Sequence, residues 1–515
     1  MSYANLRYTL FSTTYTLKRY MRVHLKPPQR PRFYQKDTYN ARSFTAPPGD
    51  AIQCNRSLVT SSHNMASYLT PCIEQSIHTI PSFTLECGAE LKNVPVAYKT
   101  WGAMNERRDN VMIICHAATG SADVEDWWGP LIGKGKAFDP NRFFIFCANV
   151  LGSPYGSASP ITLDPDTGKP YGPEFPPTSI RDDVRIHKLV LDHLGVKSVA
   201  VVIGGSMGGM AVLEWPLCTP QGYVRYVIPV ATSARHSAWC ISWGEPQRQC
   251  IYSDPIYQDG FYTTQPASGL AAARMIALLT YRSRDSFERR FGRKPQLSPK
   301  HSPPTPSEQQ SHSPADEALA FHNDGHRNAK PHPPSGSSPH ESRYPNSNRH
   351  LIPKPPIFSA QSYLRYQGDK FVSRFDANCY IHITRKMDTH DVARRRTSST
   401  EVESESLALA RMLATLPPRA LVISIASDGL FTPTEQRELA AHIPDAELVV
   451  IPSPEGHDGF LLEFEQINGH VLKFLKREIP DLYEKVADEG EAEVDNFNVK
   501  KTSVFGEAEV DITSW

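Results

Sequence analysis

The chain has 515 residues, 40% of them apolar, which is enough to bury one large core or two ordinary ones. Its 55 Lys and Arg balance its 55 Asp and Glu, so no net field favours nucleic acid or an anionic membrane surface. No stretch approaches the roughly 18 consecutive apolar residues of a membrane helix. The nine cysteines include no C-x-x-C pair and suggest buried free thiols in a reducing compartment. We therefore expect a globular protein that acts on a small molecule.

The N-terminal region is the one segment that raises the question of targeting. Residues 1–36 carry eight Lys or Arg and no Asp or Glu, a composition typical of a mitochondrial transit peptide. A disordered basic leader, or a start codon assigned upstream of Met65, explains the same composition. We interpret residues 1–65 as a disordered extension and expect a cytoplasmic protein, with a mitochondrial location as the alternative.

From about residue 80, short apolar runs alternate with helical patterns, which predicts an α/β sheet covered by helices. A helix is expected at residues 181–194, where apolar residues recur at helical spacing before Gly195. The predicted strands are 94–99, 110–115, 142–148, 198–203, 224–230, 420–425 and 447–451. The core is thus divided into a first part, 66–231, and a second part, 417–480, followed by a C-terminal tail, 481–515.

The insertion at residues 232–416 separates the two parts of the core. Helical patterns at 238–251 and 268–281 predict a helical lid. Within it, residues 295–356 hold 14 of the 44 prolines and seven of the 19 histidines. This Pro/Ser/His-rich stretch has too few apolar residues to offset the entropy of ordering it, so we predict a disordered loop. Its histidines lack regular spacing, and no metal site is predicted.

Residues 204–208, GGSMG, match the G-x-S-x-G pattern directly after an apolar predicted strand. A helix-compatible stretch at 210–215 follows, which is the context of a nucleophile elbow. Such a turn exposes the serine hydroxyl and places it at a helix N-terminus, where developing negative charge is favoured. A Gly-rich structural turn is the alternative. The pattern predicts Ser206 as a nucleophile.

A serine nucleophile needs a base and an orienting acid, in the chain order Ser, Asp, His for this fold. Asp428 and His457 each follow a predicted strand, where open α/β sheets build their sites. Asp388 and Asp391 are rival acids, but no strand precedes them, and lid salt bridges explain them as well. We predict Asp428 as the acid and His457 as the base.

The oxyanion formed on attack needs two positioned donors. The backbone N–H of Met207, immediately after the nucleophile, is the first. The second is expected from the loop after an early strand, and residues 116–120, HAATG, lie there. Within that loop we choose Ala118 as the donor.

These motifs resemble those of the homoserine O-acetyltransferase family, and specifically its fungal type. The resemblance covers nearly everything from Ile80 to the C-terminus except the Pro-rich loop. It implies an α/β-hydrolase fold with a helical lid insertion. The segments that carry it are 97–102 (AYKTWG), 116–120, 126–130 (DWWGP), 204–210, 231–237 (ATSARHS), 247–249 (QRQ), 427–431 (SDGLF), 456–458 (GHD) and 501–507 (KTSVFGE).

The resemblance implies transfer of an acetyl group from acetyl-CoA, as co-substrate, to the hydroxyl of L-homoserine, through an acetyl-serine and within methionine biosynthesis. It also implies that Arg248 holds the amino-acid carboxylate and that Asp458 holds its ammonium. A lid salt bridge is the alternative role for Arg248, and a cap on the following helix is the alternative for Asp458. A homodimer is expected, with no tightly bound cofactor, metal, nucleic acid or membrane.

Three rival activities would use the same residues, and a fourth alternative is a protein without enzymatic activity. A serine O-acetyltransferase differs only by one methylene in its acceptor, worth about 1–3 kcal/mol of discrimination. A hydrolase would use the same triad on esters, and the exclusion of water from the acyl-enzyme decides between hydrolysis and transfer. A succinyl donor would want an added cation that the sequence does not reveal. A non-enzymatic protein that retained the fold would not be expected to keep the triad.

Overall fold

The computed structural model describes residues 73–295, 319, 321–327, 357–396 and 405–483. The predicted extension 1–65, most of the predicted loop 295–356 and nearly all of the tail 481–515 lie outside this part of the chain. Among the described residues, no helix combines the length and apolarity needed to cross a membrane.

An eight-stranded mixed sheet forms the centre of the molecule, in the order β1-β2-β4-β3-β5-β6-β7-β8. β1 pairs with β2 and β2 with β4 in antiparallel fashion, and the remaining neighbours are parallel. The strands are β1 (Ser76–Thr84), β2 (Glu90–Trp101), β3 (Val111–Cys115), β4 (Phe144–Ala148), β5 (Val199–Gly205), β6 (Val224–Val230), β7 (Leu421–Ile425) and β8 (Glu447–Ile451).

All seven predicted strands are present, but β1 was not predicted. Only Ile80 and Phe83 of β1 are buried, so its sequence lacks the apolar alternation that marks a half-buried strand. Pro81 lies in the middle of β1, and proline is tolerated in a strand chiefly at the sheet edge. β1 is that edge strand.

The central parallel strands are largely apolar because helices cover both faces of the sheet. Val202 of β5 packs into the core on one face, and the adjacent Val201 packs into the core on the other. The helices are α1 (Val124–Trp128), α2 (Ile180–His193), α3 (Met207–Cys218), α4 (Ala238–Tyr252), α5 (Ala267–Tyr281), α6 (Arg284–Arg290), α7 (Ser359–Val372), α8 (Ala377–Asp388), α9 (Glu405–Leu413), α10 (Pro433–His442), α11 (Gly459–Leu462) and α12 (Phe464–Glu478).

The helices α4 to α9 lie between β6 and β7 in the chain and include the predicted lid. α4 and α5 confirm the helices expected at 238–251 and 268–281. Ser237 caps α4 by accepting from the N–H of Cys240, and Asp376 caps α8 by accepting from the N–H of Cys379. Serine and aspartate at these positions explain why both helices start where they do.

Part of the segment predicted to be disordered is placed against the lid. Asp324 accepts a hydrogen bond from Arg365 of α7, and Arg327 pairs with Asp369 of the same helix. Two charged residues of 321–327 thus have partners on α7, and disorder of the segment 295–356 stays a prediction.

Candidate active site

Ser206 occupies the sharp turn between β5 and α3. Its backbone has φ 59° and ψ −126°, a strained conformation for a residue with a side chain. Glycines around it let the turn close: a Cβ on Gly208 would lie 2.1 Å from the carbonyl oxygen of Cys115, and one on Gly205 would lie 2.4 Å from the Phe460 ring. The glycine positions of the motif are thus required by backbone and ring contacts.

The three residues predicted to act together form one hydrogen-bonded chain. Ser206 Oγ lies 2.9 Å from His457 Nε2, and His457 Nδ1 lies 2.7 Å from Asp428 Oδ2. All three side chains are buried. The other carboxylate oxygen of Asp428 accepts from the N–H groups of Leu430 and Phe431, both at 2.9 Å. With its carboxylate fixed in this way, Asp428 can accept the Nδ1–H of His457 and leave Nε2 free to act as a base.

The electrostatic setting of His457 suits a base that must gain a proton during the reaction. Burial lowers the pKa of its imidazole, but the neighbouring carboxylates, with Asp428 in contact with Nδ1 first among them, together outweigh burial, and the pKa is raised above 6.5. Asp458 and Glu435 add to the rise. The imidazolium that forms on attack is therefore stabilised by neighbouring carboxylates.

The two predicted oxyanion donors belong to segments that run side by side. Cys115, at the end of β3, is paired with Gly204 near the end of β5. Ala118 lies three residues after Cys115, and Met207 lies three residues after Gly204. Ala118 and Ser206 line the same pocket. Met207 is the first residue of α3, so its N–H lies at a helix N-terminus. The register of the two strands thus brings the loop that carries Ala118 to the same pocket as Ser206.

The lid helices enclose the space above Ser206. Residues of α4, α5 and α8 line the pocket, together with the loop that follows Asp428. A buried arginine before α8, Arg374, donates to the carbonyl oxygen of Thr119 at 3.2 Å and so ties the lid to the loop after β3. The members of the lid that line the pocket are Cys240, Trp243, Gly244, Gln247, Thr280, Tyr281, Tyr380, Ile383, Thr384, Met387 and Asp388.

Arg248 lies on α4 and lines a second cavity, which shares Asp388 with the pocket above Ser206. Its Nη2 is 2.9 Å from Asp388 and 3.0 Å from Glu245, so it makes the lid salt bridge that was its alternative role. Its Nη1 is buried and has no hydrogen-bond partner among the described residues. A Cβ on Gly244, which lines the pocket, would lie 3.1 Å from this nitrogen. Arg248 therefore combines a structural ion pair with one donor near the pocket wall.

Asp458 follows His457 directly and is buried. Its Oδ2 lies 2.7 Å from Arg282 Nε. It precedes α11 but makes no side-chain cap there, so the alternative role as a helix cap is wrong. The rival acids also have other roles: Asp388 pairs with Arg248, and Asp391 accepts from the N–H of Ala393.

Arg274 and Tyr281, both on α5, were not among the predicted site residues. Tyr281 lines the pocket, and its ring centroid is 6.1 Å from that of His457. Arg274 is only 1% exposed, and its guanidinium lies over Phe371 at 4.9 Å and over Tyr281 at 5.8 Å. The sequence did contain a signal, because Arg274 is the one charged residue in the otherwise apolar helix 267–281.

Comparison with known proteins agrees with this geometry. Residues 110–464 match the sequence model of the alpha/beta hydrolase fold. The homoserine O-acetyltransferase of Cryptococcus neoformans var. grubii is 56% identical over 508 residues, which cover 86% of this chain and 96% of that protein. That of Saccharomyces cerevisiae is 50% identical over 467 residues, covering 86% and 94%. The chain belongs to the homoserine O-acetyltransferase family.

Solved structures confirm the predicted α/β-hydrolase fold of this family member. The homoserine O-acetyltransferase of Bacillus anthracis superposes with a TM-score of 0.60 at 22% identity, covering 78% of this chain and 98% of that one. Esterase E22 gives the same TM-score at 24% identity and covers 99% of its own length. A transferase and an esterase thus share this fold, so the fold alone does not decide between transfer and hydrolysis.

Proposed function

We propose that the chain transfers the acetyl group of acetyl-CoA to the side-chain hydroxyl of L-homoserine, giving O-acetyl-L-homoserine and CoA, as a step of methionine biosynthesis. The observation that carries the chemistry is the hydrogen-bonded chain from Ser206 through His457 to Asp428 beneath a lid. Family membership supports homoserine as the acceptor. The reaction needs acetyl-CoA as a co-substrate and no tightly bound cofactor.

The first step is acylation of Ser206. His457 Nε2 takes the proton of Ser206 Oγ as that oxygen attacks the thioester carbonyl. The N–H groups of Met207 and Ala118 receive the resulting oxyanion. When the intermediate collapses, the C–S bond breaks, and the CoA thiolate takes the proton from His457. An acetyl-serine and free CoA result.

The second step is attack by the acceptor. Its hydroxyl gives a proton to His457 Nε2 as its oxygen bonds to the acetyl carbon. When this second intermediate collapses, the bond between the acetyl carbon and Ser206 Oγ breaks, His457 returns the proton to Oγ, and the new ester is released. Because CoA leaves before the acceptor reacts, the kinetics are ping-pong. Water must be excluded from the acetyl-enzyme for transfer to prevail, and burial of Ser206 beneath α4, α5 and α8 favours that.

The acceptor is an amino acid, so a cation and an anion must bind its two charged groups close together. We propose that Asp458 holds the ammonium, as the sequence predicts. For the carboxylate, Arg248 is the predicted residue and Arg274 is a second candidate. The guanidinium of Arg274 lies over the ring of Tyr281 at 5.8 Å, and that ring lines the pocket and is 6.1 Å from the ring of His457.

The test is release of CoA from acetyl-CoA by the purified protein, measured with L-homoserine, with L-serine and without acceptor. We expect release that depends on homoserine, and S206A as the control should abolish it. A preference for serine would make the protein a serine O-acetyltransferase. Equal steady-state release without any acceptor would indicate a hydrolase, and no release under any condition would refute the transferase proposal.

A further inference from the structure

The carbonyl oxygen of Ala117 accepts two hydrogen bonds inside the loop that follows β3. His116 Nδ1 lies 2.8 Å from it, and the N–H of Gly120 donates to it at 3.0 Å. This carbonyl belongs to the same peptide group as the N–H of Ala118, which is the proposed second oxyanion donor. The orientation of that donor is therefore determined by the two groups that hold its carbonyl.

The second nitrogen of His116 fixes which atom of the ring carries the proton. The N–H of Val150, in the segment after β4, lies 3.1 Å from His116 Nε2. A backbone N–H can only donate, so Nε2 is the acceptor and the proton of the neutral ring is on Nδ1. Nδ1–H then donates to the Ala117 carbonyl. The ring thus bridges the ends of two neighbouring parallel strands, β3 and β4.

We propose that His116 is a positioning residue for the oxyanion hole, holding the Ala117–Ala118 peptide so that the Ala118 N–H faces the oxygen developing on the acyl group. The peptide is planar and trans, so its N–H points away from its carbonyl. The carbonyl is turned toward His116 and Gly120, and Ala118 lines the pocket with Ser206. Hydrogen bonds to the carbonyl also polarise the peptide, which strengthens its N–H as a donor. The inference rests on the proposed acyl transfer, because it needs Ala118 as a donor.

Two substitutions test the two hydrogen bonds of the His116 ring one at a time. The amide nitrogen of H116N occupies the position of Nδ1 and can donate to Ala117, but it cannot reach Val150. The amide oxygen of H116Q occupies the position of Nε2 and can accept from Val150, but nothing then donates from the Nδ1 position. Each variant therefore keeps one of the two native bonds, and only H116N keeps the one that the inference requires.

The readout is the burst of CoA released from acetyl-CoA in the absence of acceptor, which measures acylation of Ser206 alone. Loss of a whole oxyanion donor costs about 10²–10³ in rate. We expect H116Q to slow the burst by roughly 10- to 100-fold, because its donor is misdirected and not removed. H116N should stay within about threefold of wild type, since its Ala118 donor remains aligned. CoA lacks the acyl carbonyl that becomes the oxyanion at Ser206, so it should bind all three proteins with the same Kd.

A trifluoromethyl ketone gives a second measurement, because Ser206 adds to it reversibly and forms a tetrahedral oxyanion. Its Ki should rise in H116Q by the same factor by which the burst slows, and not in H116N. If His116 had a purely structural role, the factor by which Ki rises would not match the factor by which the burst slows. The matched control is H390Q, since His390 is a buried histidine that donates to the carbonyl of Ser233, outside the loop after β3 and the segment after β4. It should leave the burst rate and the Ki unchanged.

Equal burst rates in H116N and H116Q, or a Ki that does not follow the burst, would overturn the inference while leaving the proposed function intact. A wild-type protein without any burst would instead overturn the proposed function, and the inference with it. If H116Q does not fold, H116A replaces it. H116A loses both ring bonds and should slow the burst by at least the same factor as expected for H116Q.

Discussion

Lys386 and Asp183 form an ion pair that joins the lid helix α8 to the core helix α2. Lys386 Nζ lies 2.7 Å from Asp183 Oδ2, and neither side chain is more than 1% exposed. Nζ also donates to the carbonyl oxygen of Leu151 at 2.6 Å, and Asp183 Oδ1 accepts from the N–H of Leu151 at 2.9 Å. The ion pair thus forms around Leu151. The residue before it, Val150, donates its N–H to the ring of His116. The lid and the loop after β3 are therefore both hydrogen-bonded to residues 150–151.

Removing Lys386 alone should destabilise the protein strongly. K386M leaves Asp183 as an unpaired buried charge, which typically costs about 3–5 kcal/mol. The double variant K386M/D183N should lose less than the sum of the two single variants. The control is K188M, because the Lys188–Asp192 pair is partly exposed and worth at most about 1 kcal/mol. Urea unfolding of the four variants measures these values, and equal losses for K386M and K188M would contradict the expectation.

Asp428 should be required for the tautomer of His457. In D428N the amide oxygen can still accept from Leu430 and Phe431, but the amide nitrogen then faces Nδ1 and turns the proton to Nε2. We expect kcat to fall by about 10⁴-fold with the fold intact, as for a triad that keeps its geometry and loses its tautomer. The matched control is D391N, because Asp391 was one of the two rival acids and, unlike Asp388, does not line the pocket. A loss in D391N as large as in D428N would reverse the assignment.

The pH dependence of acylation should show the raised pKa of His457. Catalysis needs the neutral imidazole, so kcat/KM should fall as the pH decreases through a value above 6.5. The contribution of His457 to the free energy of unfolding depends on pH in the opposite direction. A histidine whose pKa is raised on folding stabilises the native state fully below 6.5, and this contribution is lost as the pH rises through the folded pKa.

Removing the Asp428 carboxylate, which raises the pKa of His457, should change the pH at which kcat/KM falls. In D428N the residual kcat/KM should therefore show its acidic limb at lower pH than in the wild type. Initial rates across pH 5–9 for both proteins test this. An unchanged midpoint would mean that another group controls the acidic limb.

Much of the sheet and of the triad was predictable because the signals are local. Each central strand is a short apolar run, since helices bury both of its faces, and Ser206, Asp428 and His457 each follow such a run. The order of the strands then brings the three together. In the same way, the pairing of Cys115 with Gly204 explains why a loop chosen by its position after β3 lies beside the nucleophile.

The pairings between lid and core were not predictable because they join residues that are far apart in the sequence. Lys386 and Asp183 are 203 residues apart, and nothing near either residue marks a partner. The same holds for Asp458 with Arg282 and for the position of Arg274 near Tyr281. A charged residue within an apolar helix signals only that a partner exists, because the identity of the partner depends on how the lid packs.

The glycine after Met207 should not tolerate a side chain. A Cβ on Gly208 would lie 2.1 Å from the carbonyl oxygen of Cys115, a backbone atom that cannot rotate away. We expect G208A to cost about 1–3 kcal/mol or more and to displace the oxyanion loop from Ser206. The control is G469A on the exposed side of α12, where a Cβ meets nothing within 4 Å. That variant should gain about 0.5–1 kcal/mol. Thermal unfolding and the CoA burst measure both effects, and an active, stable G208A would contradict the contact.

The two arginines proposed for the acceptor carboxylate should be separable by steady-state kinetics. The carboxylate and ammonium of an amino acid are attached to one carbon, so the groups that bind them must converge. Arg274 lies over Tyr281, whose ring is 6.1 Å from that of His457, the residue before Asp458. The Nη2 of Arg248 is instead engaged by Asp388 and Glu245. We therefore expect R274K to raise KM for L-homoserine by roughly 10- to 100-fold, because lysine keeps the charge but loses the planar pair of donors.

The burst of CoA from acetyl-CoA should be unchanged in R274K, because the acceptor takes no part in acylation. R248K is the matched comparison and should raise KM by less than about threefold. The reverse pattern, with KM raised in R248K and unchanged in R274K, would assign the carboxylate to Arg248 as the sequence predicts. A slower burst in R274K would show that Arg274 acts on the acyl-donor step, which would remove it from the acceptor site.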